Sequence, residues 1–330
     1  MIAYERKTLA NGLTVAVNRD RASKLAAVNL LYKVGARNEN PARTGFAHLF
    51  EHLMFRGTRD VPNFDLPVQM ASGDNNAFTN NDYTDFYITL PKDNIETALW
   101  LESDRMEGLD ITPGKLETEK RVVIEEFRQR YLNQPYGDQT MLLRALAYKV
   151  HPYRWAAIGL TTEHISSATQ ADVEAFYRSH YHPSNAILSI SADLEEERMM
   201  ELAEKWFGGL ADVPYTAEPI PQEPPQQAPR REEVERDVPA TTVTVAYHMG
   251  GRRSADFYTA DLVSDLLSGG DSSRLYRRLV KEQRLLSSVN AYITGDLDPG
   301  LFVFTGQPLP GIAPEQVEEA VRGEIRSLEQ

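Results

Sequence analysis

The stretch that organises the chain is Gly45-Phe46-Ala47-His48-Leu49-Phe50-Glu51-His52-Leu53-Met54-Phe55-Arg56-Gly57-Thr58. His48 and His52 are four residues apart, so on a helix their imidazoles meet on one face, and Glu51 projects beside them. Zinc binds neutral imidazole, and a carboxylate that is not a ligand can take a proton from the water at the metal. The inverted order His-x-x-Glu-His therefore predicts a metal site with a general base beside it.

The residues around this stretch resemble the insulinase/pitrilysin family of zinc peptidases, which includes the mitochondrial processing peptidase. The shared features are an Asn-Gly-Leu turn at Asn11, a strand near Ala27–Val34, a bend at Gly35, and the motif from Gly45 to Thr58. The resemblance implies a zinc-dependent endopeptidase that hydrolyses peptides or unfolded segments. It implies one Zn²⁺ ion per chain.

A catalytic zinc ion takes three protein ligands and a water molecule, so the two histidines need a third partner. The candidates lie on an acidic helix that carries Glu119, Glu125 and Glu126. Seven residues are close to two helical turns, so Glu119 and Glu126 share a face, and Glu125 points about 100° away. Spacing alone leaves Glu125 and Glu126 as equal candidates. The family pattern Glu-x-x-Val-x-x-x-Glu implies that Glu126 is the ligand and that Glu119 is a second functional carboxylate.

The segment Gly73–Thr79 is similar to the family's Asn-Ala-x-Thr edge strand. The resemblance implies that a peptide substrate adds as a β-strand at Asn76 and Ala77, bound mainly through main-chain hydrogen bonds. The alternative is an ordinary turn that enters a strand, because Gly, Asp and Asn favour turns.

The composition of the 330 residues, with 42% hydrophobic and 25% charged side chains, is typical of a soluble globular protein with two domains. A net charge of −13 argues against nucleic-acid binding. No apolar run approaches the roughly 20 residues that a membrane span needs. Residues 1–7 lack the apolar segment of a signal peptide, so we expect a cytoplasmic protein, or a periplasmic one if a signal peptide was removed.

The hydrophobic patterns predict an α+β fold, with two homologous-looking mixed domains of mostly antiparallel sheet and helices. Alternation predicts a strand through Val28, Leu30 and Tyr32. The other main predicted elements are a strand through Thr84, Phe86, Ile88 and Leu90, helices at about Asn94–Met106 and Pro113–Tyr131, a capping box at Thr169 and Asp172, a strand at Ala186–Ser191 and a helix at about Leu194–Phe207.

We predict a catalytic zinc-binding domain over residues 1–212, a proline-rich linker over 213–239, and a partial second copy without the metal motif over 240–330. Ala246–Arg252 echoes Leu31–Arg37. A shift of 213 residues then places the two histidines and the glutamate of the motif over Asp261, Asp265 and Ser264. The chain ends before a full second copy would close, so we expect that copy to be incomplete.

In the second domain the family usually carries an Arg and a Tyr, seven residues apart, that reach the substrate. Val280 and Ser287 stand at those positions here. Short family members form dimers of two chains. In some of them one chain binds the zinc ion and the other provides the Arg and Tyr. The resemblance therefore implies a hetero-oligomer with such a related chain.

Two alternatives remain. Another residue of the second domain can substitute for the missing pair, and the candidates are Arg274, Lys281 and Arg284. Alternatively, the chain is a non-catalytic structural or assembly subunit of a peptidase-like heterodimer.

Overall fold

In the computed structural model, which describes residues 2–328, the chain forms two compact units. The first consists of the chain up to Asn133 together with Tyr148–Pro225, and the second consists of Gln134–Ala147 together with the chain from Gln226 onward. The units are therefore divided at residues other than 212 and 240. Residues 213–225 belong to the first unit, and the helix Gln139–Ala147, within the predicted first domain, belongs to the second.

The strands form one sheet in each unit. The first unit contains β1 (Glu5–Thr8), β2 (Thr14–Arg19), β3 (Leu25–Tyr32), β4 (Asp74–Thr79), β5 (Thr84–Pro91) and β6 (Ala186–Ala192), and the second contains β7 (Val243–His248), β8 (Leu286–Ile293) and β9 (Leu301–Pro308). The six-stranded sheet has the order β1-β2-β6-β3-β5-β4 and is antiparallel except between β2 and β6. The predicted α+β class with mostly antiparallel strands is confirmed.

The helices lie between and after these strands. They are α1 (Phe46–Leu53), α2 (Asp65–Met70), α3 (Ile95–Glu107), α4 (Pro113–Phe127), α5 (Gln139–Ala147), α6 (Thr162–Ser166), α7 (Gln170–His180), α8 (Glu196–Phe207), α9 (Phe257–Ser268) and α10 (Pro314–Arg326). The predicted capping box is confirmed, because Thr169 and Asp172 bond reciprocally at the start of α7. The helix predicted to reach Tyr131 ends its α-helical part at Phe127 and continues as a π-helical turn over Arg128–Leu132.

The core of the first unit explains why the strand predictions succeed. Val28, Leu30 and Tyr32 are fully buried on one face of β3, and Phe86 and Ile88 are buried on the neighbouring β5. The alternation of apolar residues therefore marks the sheet face that is removed from water.

The start of α1 is held by a side chain from outside the helix. Gly45, at the N-cap, has φ +91°, a left-handed conformation that favours glycine. The buried carboxyl group of Glu39 accepts hydrogen bonds from the backbone N–H groups of Gly45 and Ala47, both at 2.9 Å. These donors would otherwise lack partners at the helix N-terminus, so Glu39 caps the helix that carries the histidines.

The second unit repeats part of the first. Its sheet has the antiparallel order β7-β9-β8, which corresponds to β3-β5-β4, and α9 follows β7 as α1 follows β3. Its core is built from apolar residues that include Leu267, Leu275, Leu279 and Phe304. The predicted repeat of architecture is therefore present, and the helix at the position of the metal motif carries Asp261, Ser264 and Asp265.

Candidate metal centre

His48, His52 and Glu126 come together in the first unit, and one potential ligand atom from each lies within 4.8 Å of the others. The Oε2 atom of Glu126 lies 3.3 Å from Nε2 of His52 and 3.6 Å from Nε2 of His48. Ligands placed tetrahedrally at about 2.05 Å from zinc are about 3.3 Å from one another. The spacing of the three side chains therefore fits a zinc ion between them.

Helices α1 and α4 supply these ligands, and packing on the opposite side of α1 fixes its rotation. Leu49, Phe50 and Leu53 are buried. The Phe50 ring stacks on Phe176 and Tyr177 of α7 at centroid distances of 5.5 and 6.0 Å. Because this apolar face is held against α7, the two histidines are directed toward α4.

The pKa values of the two histidines are shifted in opposite directions. Burial lowers the pKa of His48 to about 4, although the charge of Glu126 favours protonation. Burial also disfavours the charged form of His52, but the adjacent carboxylates of Glu119 and Glu126 raise the pKa to about 9. Zinc requires neutral imidazole, so a zinc ion held here at neutral pH would displace the proton of His52.

Glu51 lies on the same helix and is not among the three clustered ligands. Burial raises the pKa of Glu51 above its usual value, and the hydroxyl and backbone of the nearby Thr79, at the end of β4, oppose the rise. A half-buried carboxylate with a raised pKa beside the ligands is suited to proton transfer.

The predicted second carboxylate, Glu119, is fully buried and contacts one of the ligands. Its Oε2 atom lies 3.5 Å from Nδ1 of His52, on the side of the ring away from Glu126. Its Oε1 atom lies 2.5 Å from Nε of Arg56. A carboxylate in this position orients a ligand imidazole.

Sequence reasoning missed four residues that support this group. Thr79 lies beside Glu51, Glu39 caps α1, and Arg56 and Arg130 pair with the two carboxylates of α4. Only Arg130 had a local signal, because it follows Glu126 by four residues on a helical segment.

Asn76 and Ala77 lie in the middle of β4, which is the last strand in the order of its sheet. They pair with Tyr87 and Phe86 of β5, so within the described residues β4 has a strand on one side only. The segment is a strand and not merely a turn. Its open edge, which ends at Thr79 beside Glu51, is the kind of surface to which an extended peptide adds.

In the second unit, Val280 is partly buried against the apolar core, and the Ser287 hydroxyl donates to the carbonyl of Gln307. Arg274 is engaged with Glu324 and Ser327. The other two candidate substitutes are Lys281, which lies over the ring of Tyr276, and Arg284, whose φ is +51°.

The repeated α+β units and the inverted His-x-x-Glu-His group with a downstream glutamate define the class of the zinc metallopeptidases. The chain belongs to the insulinase family (peptidase family M16). The model of that family matches residues 14–156, and a model described as the peptidase M16 inactive domain matches residues 167–330.

Individual relatives agree with this assignment. The zinc protease PqqE of Helicobacter pylori is 32% identical over 331 residues, which cover 98% of this chain and 74% of that protein. A probable mitochondrial-processing peptidase subunit beta of Schizosaccharomyces pombe is 28% identical, with 90% of this chain and 68% of that protein covered.

Solved structures agree as well. The crystal structure of a protease from Helicobacter pylori superposes with a TM-score of 0.93 at 32% identity, covering 99% of this chain and 80% of that one. A peptidase M16 inactive domain from Pseudomonas fluorescens has the same fold, with a TM-score of 0.82 at 21% identity over 93% of this chain and 74% of that one. Among residues 2–328, no helix is both long enough and apolar enough to cross a membrane.

Proposed function

We propose that this chain is a zinc-dependent endopeptidase that hydrolyses peptides or unfolded segments. The observation that carries the proposal is the convergence of His48, His52 and Glu126 at the spacing of tetrahedral zinc ligands, with Glu51 beside them. Relatives that are named zinc proteases support the choice of metal.

In this proposal His48, His52 and Glu126 hold one zinc ion per chain. A zinc ion bound there supplies a Lewis acid that polarises a peptide carbonyl and makes a water molecule more acidic. Glu51 takes the proton of the attacking water and passes it to the amine that leaves. The raised pKa of Glu51 helps it to accept the proton of the water.

Glu119 acts through His52 in this mechanism. By facing Nδ1 of the imidazole, it holds Nε2 toward the metal position and makes the ring a better ligand. It has no direct part in proton transfer to substrate.

The substrate lies along the edge of β4. Asn76 and Ala77 offer main-chain hydrogen-bonding groups to an extended peptide, which explains how many sequences could be accepted. Thr79, the last residue of this strand, lies beside Glu51, so a peptide on β4 lies close to the general base.

We also propose that the chain works as a hetero-oligomer with a related chain that carries the Arg and Tyr absent at Val280 and Ser287. The resemblance to a mitochondrial-processing peptidase subunit beta supports this arrangement. The rival proposal, a non-catalytic assembly subunit, is disfavoured because a lapsed site has no need to keep both histidines, Glu51 and Glu126 in one place.

Metal analysis and a peptide assay test the proposed function. Protein purified under metal-replete conditions should contain about one equivalent of zinc, and a chelator should stop hydrolysis of an unfolded peptide until zinc is restored. Protein that carries no zinc under those conditions would contradict the enzyme proposal.

A further inference from the structure

Two arginines contact the metal centre from outside, and the peptidase mechanism above does not use them. Arg130 lies in the π-helical turn that follows α4, and its Nη1 atom is 2.9 Å from Oε1 of Glu126. The other oxygen of Glu126, Oε2, is the one that faces the two histidines. The two oxygens of this carboxylate therefore have different partners.

Arg56 makes the equivalent contact on the other side of the centre. It follows α1 in the chain, and its Nε atom is 2.5 Å from Oε1 of Glu119. The remaining oxygen of Glu119 faces Nδ1 of His52 at 3.5 Å. Both α4 carboxylates thus have an outer oxygen on an arginine and an inner oxygen on a histidine.

We propose that Arg56 and Arg130 are positioning residues of the metal centre, each fixing the rotation of one carboxylate so that a single oxygen faces the histidines. The inference rests on the proposed zinc site and concerns how that site is kept in shape. Neither arginine is a ligand, and neither needs to touch the substrate.

The chemistry of the carboxylate explains why its rotation matters at Glu126. If both oxygens of Glu126 turn toward the metal, they occupy the position that a catalytic site leaves open for water. The ion pair with Arg130 keeps Oε1 turned away from the histidines, so the carboxylate offers one oxygen. Arg130 thereby favours an open fourth position.

Arg56 acts on the ligand His52 indirectly. It pairs with Glu119, and Glu119 in turn orients the ring of His52. Loss of Arg56 should loosen the imidazole and weaken metal binding without changing the number of oxygens that Glu126 offers. The two arginines thus predict two different defects.

The arginine side chains are 48% and 67% exposed, so substituting them removes little buried surface. Each has a matched control nearby. Arg128 shares the π-helical turn with Arg130 but pairs with Glu125 at 3.8 Å, and Arg59 lies three residues after Arg56 on an exposed segment.

The first measurement is zinc affinity, determined by competition with a chromogenic chelator. Arg56→Ala and Arg130→Ala should each bind zinc about 10- to 100-fold more weakly, the usual effect of removing a partner of a metal ligand. The controls Arg59→Ala and Arg128→Ala should bind as the unaltered protein does. Arg130→Lys should restore part of the affinity, because it keeps the charge but not the planar fork. Thermal unfolding of the metal-free variants should match that of the metal-free parent.

The second measurement is the visible spectrum of the cobalt(II)-loaded protein, whose intensity is greatest for four-coordinate metal. Arg130→Ala should weaken the bands, as a second oxygen of Glu126 binds, whereas Arg56→Ala should leave their intensity nearly unchanged. Unchanged zinc affinity in both alanine variants overturns the inference while leaving the proposed enzyme intact. If only one alanine variant loses zinc affinity, the inference fails for the other arginine. If the unaltered protein does not bind zinc, both this inference and the proposed function are overturned.

Discussion

The Oε2 atom of Glu126 lies 3.3 Å from Nε2 of His52, whereas the adjacent Glu125 has Arg128 and Gln129 as neighbours and is half exposed. The rotation of α4 therefore separates two carboxylates that sequence spacing alone could not rank. Glu126 shares its helix face with Glu119, two turns earlier, and both face α1.

Glu126→Gln should lose most of its zinc, because a neutral amide is a far weaker ligand than a carboxylate. The expected result is a metal content well below one equivalent after dialysis, with the fold retained in far-ultraviolet circular dichroism. Glu125→Gln is the matched control and should keep both zinc and activity. The opposite ranking would show that the wrong carboxylate was assigned to the metal.

Glu51→Gln should keep zinc and lose turnover. The amide preserves size and can still form hydrogen bonds, but it cannot take a proton, so we expect kcat to fall by about 10²-fold or more. Measuring the zinc content and the rate of peptide hydrolysis on one preparation tests both the retained metal and the lost turnover. Near-normal turnover with full zinc would exclude Glu51 as the general base.

The sequence predicts the part of the site that is local. His48, Glu51 and His52 lie within one helical turn, so periodicity alone places them together. Glu126 needed the family pattern, since it joins the histidines only through the packing of α4 on α1. Arg130 could have been predicted from its spacing to Glu126.

Residues whose role depends on contacts between distant segments could not be predicted from the sequence. Glu39 caps α1 from a separate turn, and Arg56 meets Glu119 only because two helices pack together. The fold shows the same limit. Several strands and helices of the first unit follow from apolar periodicity, but α5 was not predicted, and its placement with the second unit depends on long-range contacts that no local pattern records.

The pH dependence of stability should contain a contribution from Glu39. Burial raises its pKa from 4.5 to about 8, although the N–H groups of Ala47 and Gly45 favour the charged form. Between these two values the unfolded chain loses the proton while the folded chain keeps it. The stabilising contribution is therefore complete below pH 4.5 and is lost as the pH rises through about 8.

Glu39→Gln removes this titration and supplies the comparison. We expect the free energy of unfolding of the metal-free parent, minus that of the variant, to decrease as the pH rises from 4.5 to 8. Denaturant unfolding at several pH values checks the trend. A difference that stays level across the window, or that grows with pH, would mean that Glu39 is ionised in the folded protein.

A buried ion pair in the first unit should be costly to break from one side. Arg105 and Glu102 are both almost fully buried, and their Nη2 and Oε1 atoms are 2.5 Å apart. The guanidinium also lies over the rings of Phe86 and Phe64, at 4.2 and 4.5 Å from their centroids. Glu102→Leu leaves this cation buried without its carboxylate.

We expect Glu102→Leu to destabilise the first unit by about 3–5 kcal/mol. The double variant Glu102→Leu with Arg105→Leu should cost less, because no charge is then left unpaired in an apolar surrounding. Denaturant unfolding followed by tryptophan fluorescence measures both. A double variant as unstable as the sum of the two single variants would show that the rings and not the ion pair dominate.

The residues at positions 280 and 287 should limit the activity of the chain in the absence of a partner. Val280 packs on the core of the second unit and Ser287 bonds to a backbone carbonyl, so neither side chain can supply the charge or the phenol that the family uses on its substrate. Arg274, the first of the candidate substitutes, is engaged by Glu324 and Ser327. We therefore expect the purified chain alone to bind zinc and to hydrolyse peptides slowly.

Mixing the chain with a related chain that lacks His-x-x-Glu-His but carries the Arg and Tyr should raise turnover and yield a larger species in size-exclusion chromatography. Repeating the mixture with Glu51→Gln in this chain should abolish the gain, because the general base then comes from neither chain. Replacing the partner's Arg and Tyr should also abolish it, without loss of the complex. Robust turnover by the chain alone, unaffected by the partner, would show that its own residues complete the substrate site and would remove the need for a second chain.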